Sequence, residues 1–293
     1  MKKLLVLTVI LALSLPVFAS TDWRGPAYTT PGTQDWFTAS NWSAGVPDVA
    51  LMGTQAGART YGSNCYDSSL TTCPIIANGA ATTMELRVAG DNAGTPAIAK
   101  TAYLIMQSGS LATQNYLMVG GDSGTGGGRS GTVVMHGGNM ILGGASNGVR
   151  TTGHLFIGHG TGTYTGIIGT LIMDGGVIDA GGDFAIGKNY SQGYVYLSGD
   201  ATIIANSLKM RPDNAAAVAY MDLTGNSKVV INGDITSSIA TYISNGWLTG
   251  NGNDYEIMYD YNVTTPGKTT IFVPEPTTIC LLGFGLFGLI RRK

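Results

Sequence analysis

Charge is scarce in this chain. Its 293 residues hold only 16 Lys and Arg and 18 Asp and Glu, a net of −2 with histidine neutral, which is about half the usual charged fraction. A chain so poor in cations has no basic patch to grip phosphates, so nucleic acid is not expected as a partner. Cysteine and histidine number three each. No Cys-x-x-Cys spacing occurs, so neither a zinc site nor a dithiol redox motif is expected. Also missing is any apolar run of the ~20 residues that cross a bilayer comfortably. Glycine, in contrast, is abundant at 44 residues, with a normal hydrophobic share of 44%. Enough apolar surface remains for a core, and the composition suits many short strands joined by Gly turns.

The two ends carry shorter apolar runs. Lys2 and Lys3 precede an apolar stretch over residues 4–15, and Val17-Phe18-Ala19 fits a small-residue cleavage site. This pattern predicts a secretory signal peptide over residues 1–19, cut between Ala19 and Ser20 by signal peptidase. At the other end stand Val273-Pro274-Glu275-Pro276, an uncharged run over 277–290, and Arg291-Arg292-Lys293. As a helix the 14-residue run would be about 21 Å long, short of the ~30 Å hydrocarbon core. Snorkelling by the three terminal cations would cover part of the deficit and keep them cytoplasmic. A marginal span of this kind suits transient anchoring in the inner membrane. Loss of both ends takes five of the 16 cations, leaving 11 against at most 18 acidic residues, a net of about −7.

Pro274-Glu275-Pro276, the Gly-rich apolar run and Arg291, Arg292 and Lys293 together resemble the PEP-CTERM sorting signal. The resemblance covers residues 273–293. It implies recognition by an exosortase, a transpeptidase-like membrane enzyme, with processing near the tripeptide and delivery to the cell surface or extracellular matrix. Bodies that carry this tail are diverse, so the resemblance transfers no activity.

Between the ends one pattern recurs. The units are Leu104-Ile105-Met106, Val133-Val134-Met135, Leu171-Ile172-Met173, Val195-Tyr196-Leu197 and Met221-Asp222-Leu223, each followed by a Gly-containing turn. Another strand of each repeat reads Leu86-Arg87-Val88, Leu117-Met118-Val119, Phe156-Ile157, Ala185-Ile186 or Lys209-Met210. A period of at least about 24 residues, with three short strands in each, predicts an all-β fold: a right-handed parallel β-helix (solenoid) over 81–239. Alternation would point Met106, Met135, Met173, Leu197 and Leu223 inward as one stacked row. The neighbouring Ile105, Val134 and Ile172 then fall outside, which leaves the parity of this strand open. An antiparallel β-sandwich is the alternative fold.

Residues 20–80 and 240–272 break the pattern and are expected to be irregular caps. The stretch Asp35-Trp36-Phe37-Thr38-Ala39-Ser40-Asn41-Trp42 and the rung Leu171-Ile172-Met173-Asp174-Gly175-Gly176 resemble autotransporter-like bacterial repeat proteins. Residues 240–293 are too few for a long translocator barrel, so self-export through an outer membrane is not expected. In an oxidising compartment Cys65 and Cys73 are the candidate disulfide.

Chemistry-bearing residues are few. Asp174, Asp179, Asp183 and Asp200 are the densest carboxylates, and Lys188, Lys209 and Arg211 their nearby cations. Paired carboxylates would suit polysaccharide cleavage, but Asp174 and Asp179 flank a Gly-Gly pair as turn residues do. His154 and His159, five apart on a strand, should face opposite sides. No catalytic residue, metal ligand or cofactor is therefore assigned. Tyr190, Tyr194 and Tyr196 form the candidate glycan contact, since exposed ring faces stack on sugars. The expectation is a non-enzymatic surface or matrix protein of structural or adhesive role, with exopolysaccharide as a candidate partner. A polysaccharide-binding or polysaccharide-cleaving β-helix is the alternative.

Overall fold

The computed structural model describes residues 21–22, 34–42, 46, 58–60, 73–90, 100–121, 128–144, 153–160 and 165–274. The expected signal peptide with Ala19 and Ser20, Cys65, and the sorting residues from Glu275 onward lie outside these. Within them the chain is all-β, built from strands that stack in parallel along three rows.

The first row contains β3 (Ile75–Ile76), β6 (Lys100–Met106), β9 (Arg129–Met135), β12 (Ile167–Met173), β14 (Gln192–Leu197), β16 (Val218–Leu223) and β18 (Leu248–Gly250). Its register pairs Met106 with Met135, Met135 with Met173, Met173 with Leu197 and Leu197 with Leu223. All five are buried, so the stacked inward row expected from alternation is present. The second row holds β4 (Ala80–Thr83), β7 (Ser110–Thr113), β10 (Asn139–Leu142), the first parts of β13 (Val177–Lys188) and β15 (Thr202–Met210), and β17 (Lys228–Asn232). The third row holds β1 (Thr21–Asp22), β2 (Ala58–Thr60), β5 (Leu86–Val88), β8 (Tyr116–Gly121), β11 (His154–His159) and the second parts of β13 and β15. Val88, Val119, Ile157, Ile186 and Met210 stand in register there and are buried. The pairing is parallel throughout these rows, which is not the arrangement of an antiparallel sandwich. It also begins before residue 81, at β1 through β4.

The core is a continuous apolar column. Leu104, Val133, Leu171, Val195, Met221 and Leu248 line it from the first row, Leu111, Met140, Ile178, Ile203 and Val229 from the second, and Leu86, Leu117, Leu155, Phe184 and Leu208 from the third. No single repeat could bury its side chains alone; each covers its neighbour and takes up its backbone hydrogen bonds.

Backbone contact replaces side-chain packing at one corner. A left-handed residue stands at the end of five third-row strands, just after β5 and β15 and one residue before the end of β8, β11 and β13: Ala89, Gly120, Gly158, Gly187 and Arg211 have φ between 52° and 70°. A Cβ on Gly158 would collide with the Gln192 carbonyl, and one on Gly193 would lie 2.6 Å from the Gly187 nitrogen. Gly131, Gly169, Gly193 and Ala219 are in register across the first row, so small residues let the two rows touch main chain to main chain.

Both ends of the column are closed. Trp36 and Trp42 meet edge to face at 4.6 Å over the N-terminal end, and Trp42 Nε1 donates to the Trp36 carbonyl at 2.8 Å. At the other end α1 (Thr236–Ser244) buries Ile239. The described part ends as an antiparallel extension of the second row: β20 (Lys268–Phe272) pairs with β17, and β19 (Met258–Tyr261) pairs with β20. Among the described residues no helix is long and apolar enough to cross a membrane.

The corner contact yields a prediction. Gly158 and Gly267 have nearly equal φ, 70° and 69°, but no heavy atom lies within 4 Å of a Cβ on Gly267. Gly267→Ala should cost about 1 kcal/mol through its left-handed backbone alone. Gly158→Ala should cost roughly 1–3 kcal/mol more from overlap with the neighbouring strand. Urea denaturation of the two variants compares them directly.

Candidate functional site

The outward side of the first row is a regular strand face with side chains in register from repeat to repeat. Register places Tyr103, Thr132, Thr170, Tyr194 and Tyr220 along one line, and Ile105, Val134, Ile172, Tyr196 and Asp222 along the next. The open parity of this strand is therefore resolved: the second line does face outward. Its N-terminal member, Ile105, is nevertheless buried, because it packs with Cys73, Ile75, Tyr103 and Val134 as a small satellite of the core. Ile172, Tyr196 and Val218 stay exposed.

Two of the three predicted glycan-contact tyrosines fall together here. Tyr194 lies beside Tyr196 on β14, its hydroxyl donating to Gln192 Oε1 at 2.9 Å. Tyr220 of the next strand brings its ring centroid to 6.0 Å from that of Tyr196. The Tyr220 hydroxyl is held 3.0 Å from Thr249 Oγ1, which itself donates to Asp222 at 2.6 Å. Tyr190 sits instead in the turn between β13 and β14, half-buried. Burial and the neighbouring Tyr220, Tyr194 and Asp222 raise the Tyr196 pKa, so the phenol is protonated at neutral pH.

The four aspartates occupy separate stretches. Asp174 follows β12 at a corner, and its Oδ2 is 2.8 Å from His136 Nδ1 of the preceding repeat. Asp200 lies in the corresponding turn of the next repeat, bound by Asn226 Nδ2 at 3.2 Å. Asp179 points outward from the second row between Ile141 and Ile204. Asp183 marks an irregularity between β13 and β15 and belongs to the third row. Among the described residues no group of three His, Cys, Asp or Glu could hold a metal ion. Cys73 is buried in the satellite around Ile105, on the outward side of the first row, with Gln34 Nε2 at 3.6 Å from its Sγ.

The third row carries a polar and aromatic cluster that the sequence did not announce. Phe156 stacks on His154 at 5.3 Å and meets His159 at 4.7 Å. The expectation that the two histidines face opposite sides is thus corrected. Left-handed Gly158 interrupts the alternation between them and turns His159 back to the side of His154. Lys188 Nζ lies 5.3 Å from the centre of the Phe156 ring, a cation–π distance. Next to it Arg87 bridges Glu85, at 2.9 Å, and the Tyr116 hydroxyl, at 3.0 Å from Nε. Burial, with a hydrogen bond to Glu85, pushes the Tyr116 phenol up to about 12. Asp183 accepts from Lys209 Nζ and Ser207 Oγ, both at 2.7 Å, and its backbone N–H donates to His154 Nδ1 at 3.0 Å. Burial raises the Asp183 carboxyl, but the bonds from Lys209 and Ser207 outweigh it and leave the pKa below its ordinary value. The sequence signal for this cluster was present only as the outward positions Tyr116, Phe156 and Lys209, scattered over nearly a hundred residues.

His159 is about 9% exposed, and its Nδ1 has no hydrogen-bond partner. Burial first, then the Lys188 charge, pushes its pKa down to about 4. The unfolded chain therefore takes up this proton before the folded one. Stability should be unaffected above the ordinary value of 6.5 and should fall as pH drops towards 4, by roughly 3 kcal/mol from this group. His159→Leu should flatten that part of the acid slope, as measured by urea denaturation near neutrality and near pH 4.

The comparisons with known proteins concern the tail. A family model, the PEP-CTERM protein-sorting motif, matches residues 272–293. No curated protein and no solved structure matches the chain. The match supports an exported protein sorted by an exosortase, and it leaves the body, residues 21–271, without a counterpart.

Proposed function

We propose that the protein is an exported, non-enzymatic component of the cell surface or extracellular matrix, with a structural or adhesive role. Its body is a right-handed parallel β-helix serving as a rigid spacer, and its tail holds it briefly in the inner membrane before an exosortase releases it. The observation that carries this reading is where the last described strand ends. The last strand, β20, ends at Phe272, and the sorting motif begins at that same residue. Val273 is still buried against the core, whereas Pro274 is the first residue of the tripeptide. Processing near Pro274-Glu275-Pro276 therefore leaves every strand of the body intact. In-register parallel rows favour a solenoid, and parallel crossovers are almost always right-handed. Sparse charge and scattered carboxylates favour a scaffold over a hydrolase.

Replacement of Glu275 by Ala tests the sorting route. Full-length protein should accumulate in the inner membrane, seen by intact mass and fractionation. Unchanged release to the surface would overturn the exosortase reading.

A second reading is favoured by the first-row tyrosines. Exposed Tyr196, flanked by half-buried Tyr194 and Tyr220, presents ring surface on one strand face, an arrangement suited to stacking on a glycan chain. Tyr194→Ala with Tyr196→Ala should weaken retention on exopolysaccharide from the producing cells by about three- to tenfold, matching ~0.7–1.4 kcal/mol of lost aromatic contact. Equal retention of parent and variant in affinity electrophoresis would remove the glycan role.

A further inference from the structure

We propose that the C-terminal end of the strand stack is a membrane-contact surface. It rests in the headgroup layer of the inner membrane while the tail is anchored, and the proposal depends on the anchoring reading above. The geometry begins with strand order. β20 adds to β17 and β19 adds to β20, so β19 is the outermost strand of this end among the described residues. Apolar side chains are left uncovered there. Tyr255 and Val263 are each 79% exposed, Met258 49% and Tyr261 40%. They are four of the nine exposed large hydrophobic residues among those described, and all fall within 255–263. The rest are spread along the stack.

The exit of the chain lies at the same end. Phe272 pairs with Met258, so the tail leaves one strand below the uncovered edge. From Pro274 to the start of the apolar run at Thr277 is three residue steps, at most about 11 Å of extended chain. The headgroup layer is itself ~5–8 Å thick. A tail inserted to Thr277 therefore holds the exit of the body within about 3–6 Å of the headgroup layer even when fully extended, and against it when less so.

The chemistry suits that depth. Tyrosine, with an apolar ring and a polar tip, is favoured at the membrane interface. Carboxylates on this end keep it out of the hydrocarbon. Glu256 accepts from Asn251 at 2.6 Å, and Asp260 accepts from the Thr264 hydroxyl at 2.6 Å and its N–H at 2.9 Å. Asp254 is exposed beside them. The contact would stand the long axis of the stack away from the bilayer and hold Pro274-Glu275-Pro276 at its surface, where a membrane transpeptidase works.

The test uses the full chain in phosphatidylethanolamine–phosphatidylglycerol vesicles whose acyl chains carry bromine, a short-range quencher of tryptophan. Tyr255→Trp places the reporter on the proposed surface. Ile141→Trp places it mid-stack on β10, five strands or about 24 Å from β19 at ~4.8 Å per strand. The emission added by Tyr255→Trp should fall by more than half relative to unbrominated vesicles, and that added by Ile141→Trp should not change. Equal quenching of the two, with the chain still resisting carbonate extraction, would overturn the contact and leave the anchor standing. A Tyr255→Trp signal that shifts with protein concentration and not with bromine would assign the surface to a second copy and also overturn it. Loss of the chain to carbonate would show that the anchor itself has failed, and the contact with it.

Discussion

Main-chain contact between the first and third rows is the constraint on which the body depends. A Cβ on Gly131, Gly169 or Gly193 would strike third-row backbone, and Gly120, Gly158 and Gly187 press back on the first row. Two strands can approach that closely only without side chains. The corner residue must also take a left-handed backbone to turn the chain sharply, and glycine does so at least cost. Where the approach relaxes, the requirement weakens: Ala89 and Arg211 hold the same conformation at the ends of the series. Arg211 uses its side chain there, stacking its guanidinium over Trp247 at 4.7 Å.

The same corner shapes the surface. A left-handed residue interrupts the simple alternation of inward and outward positions, so His159 and Lys188, each just beyond a glycine, return to the outside of the third row. Phe156 then gathers His154, His159 and Lys188 around one ring. The cluster follows from backbone geometry, and its burial explains why His159 resists protonation. The first row has no such interruption within its strands. Its outward lines stay regular, and its tyrosines form an open face.

A stack of open-edged strands needs closure. Tryptophans cover the first end, while α1 and the β17–β20–β19 extension cover the other. The antiparallel extension ends the parallel series. It also sets where the chain departs, since β20 delivers Phe272 and Val273 directly to the sorting tripeptide. The fold and the export signal therefore meet without a linker.

The stacked rows were legible from residues 104 to 223 because each repeat restates the same alternation, and buried anchors such as Met135 and Met173 recur at matched places. The tail was legible from order and composition alone. The histidine geometry was not, because counting residues along a strand assumes an unbroken alternation that Gly158 does not keep. Nor was Tyr220 singled out: its partner Tyr196 lies 24 residues earlier, and only register sets them side by side. Thus local pattern determined the strands, their inward faces and the destination of the chain, since each depends on neighbours in sequence. Tertiary structure decided which outward residues meet, because lateral pairing between repeats and close backbone contact at the corners depend on residues far apart in the chain.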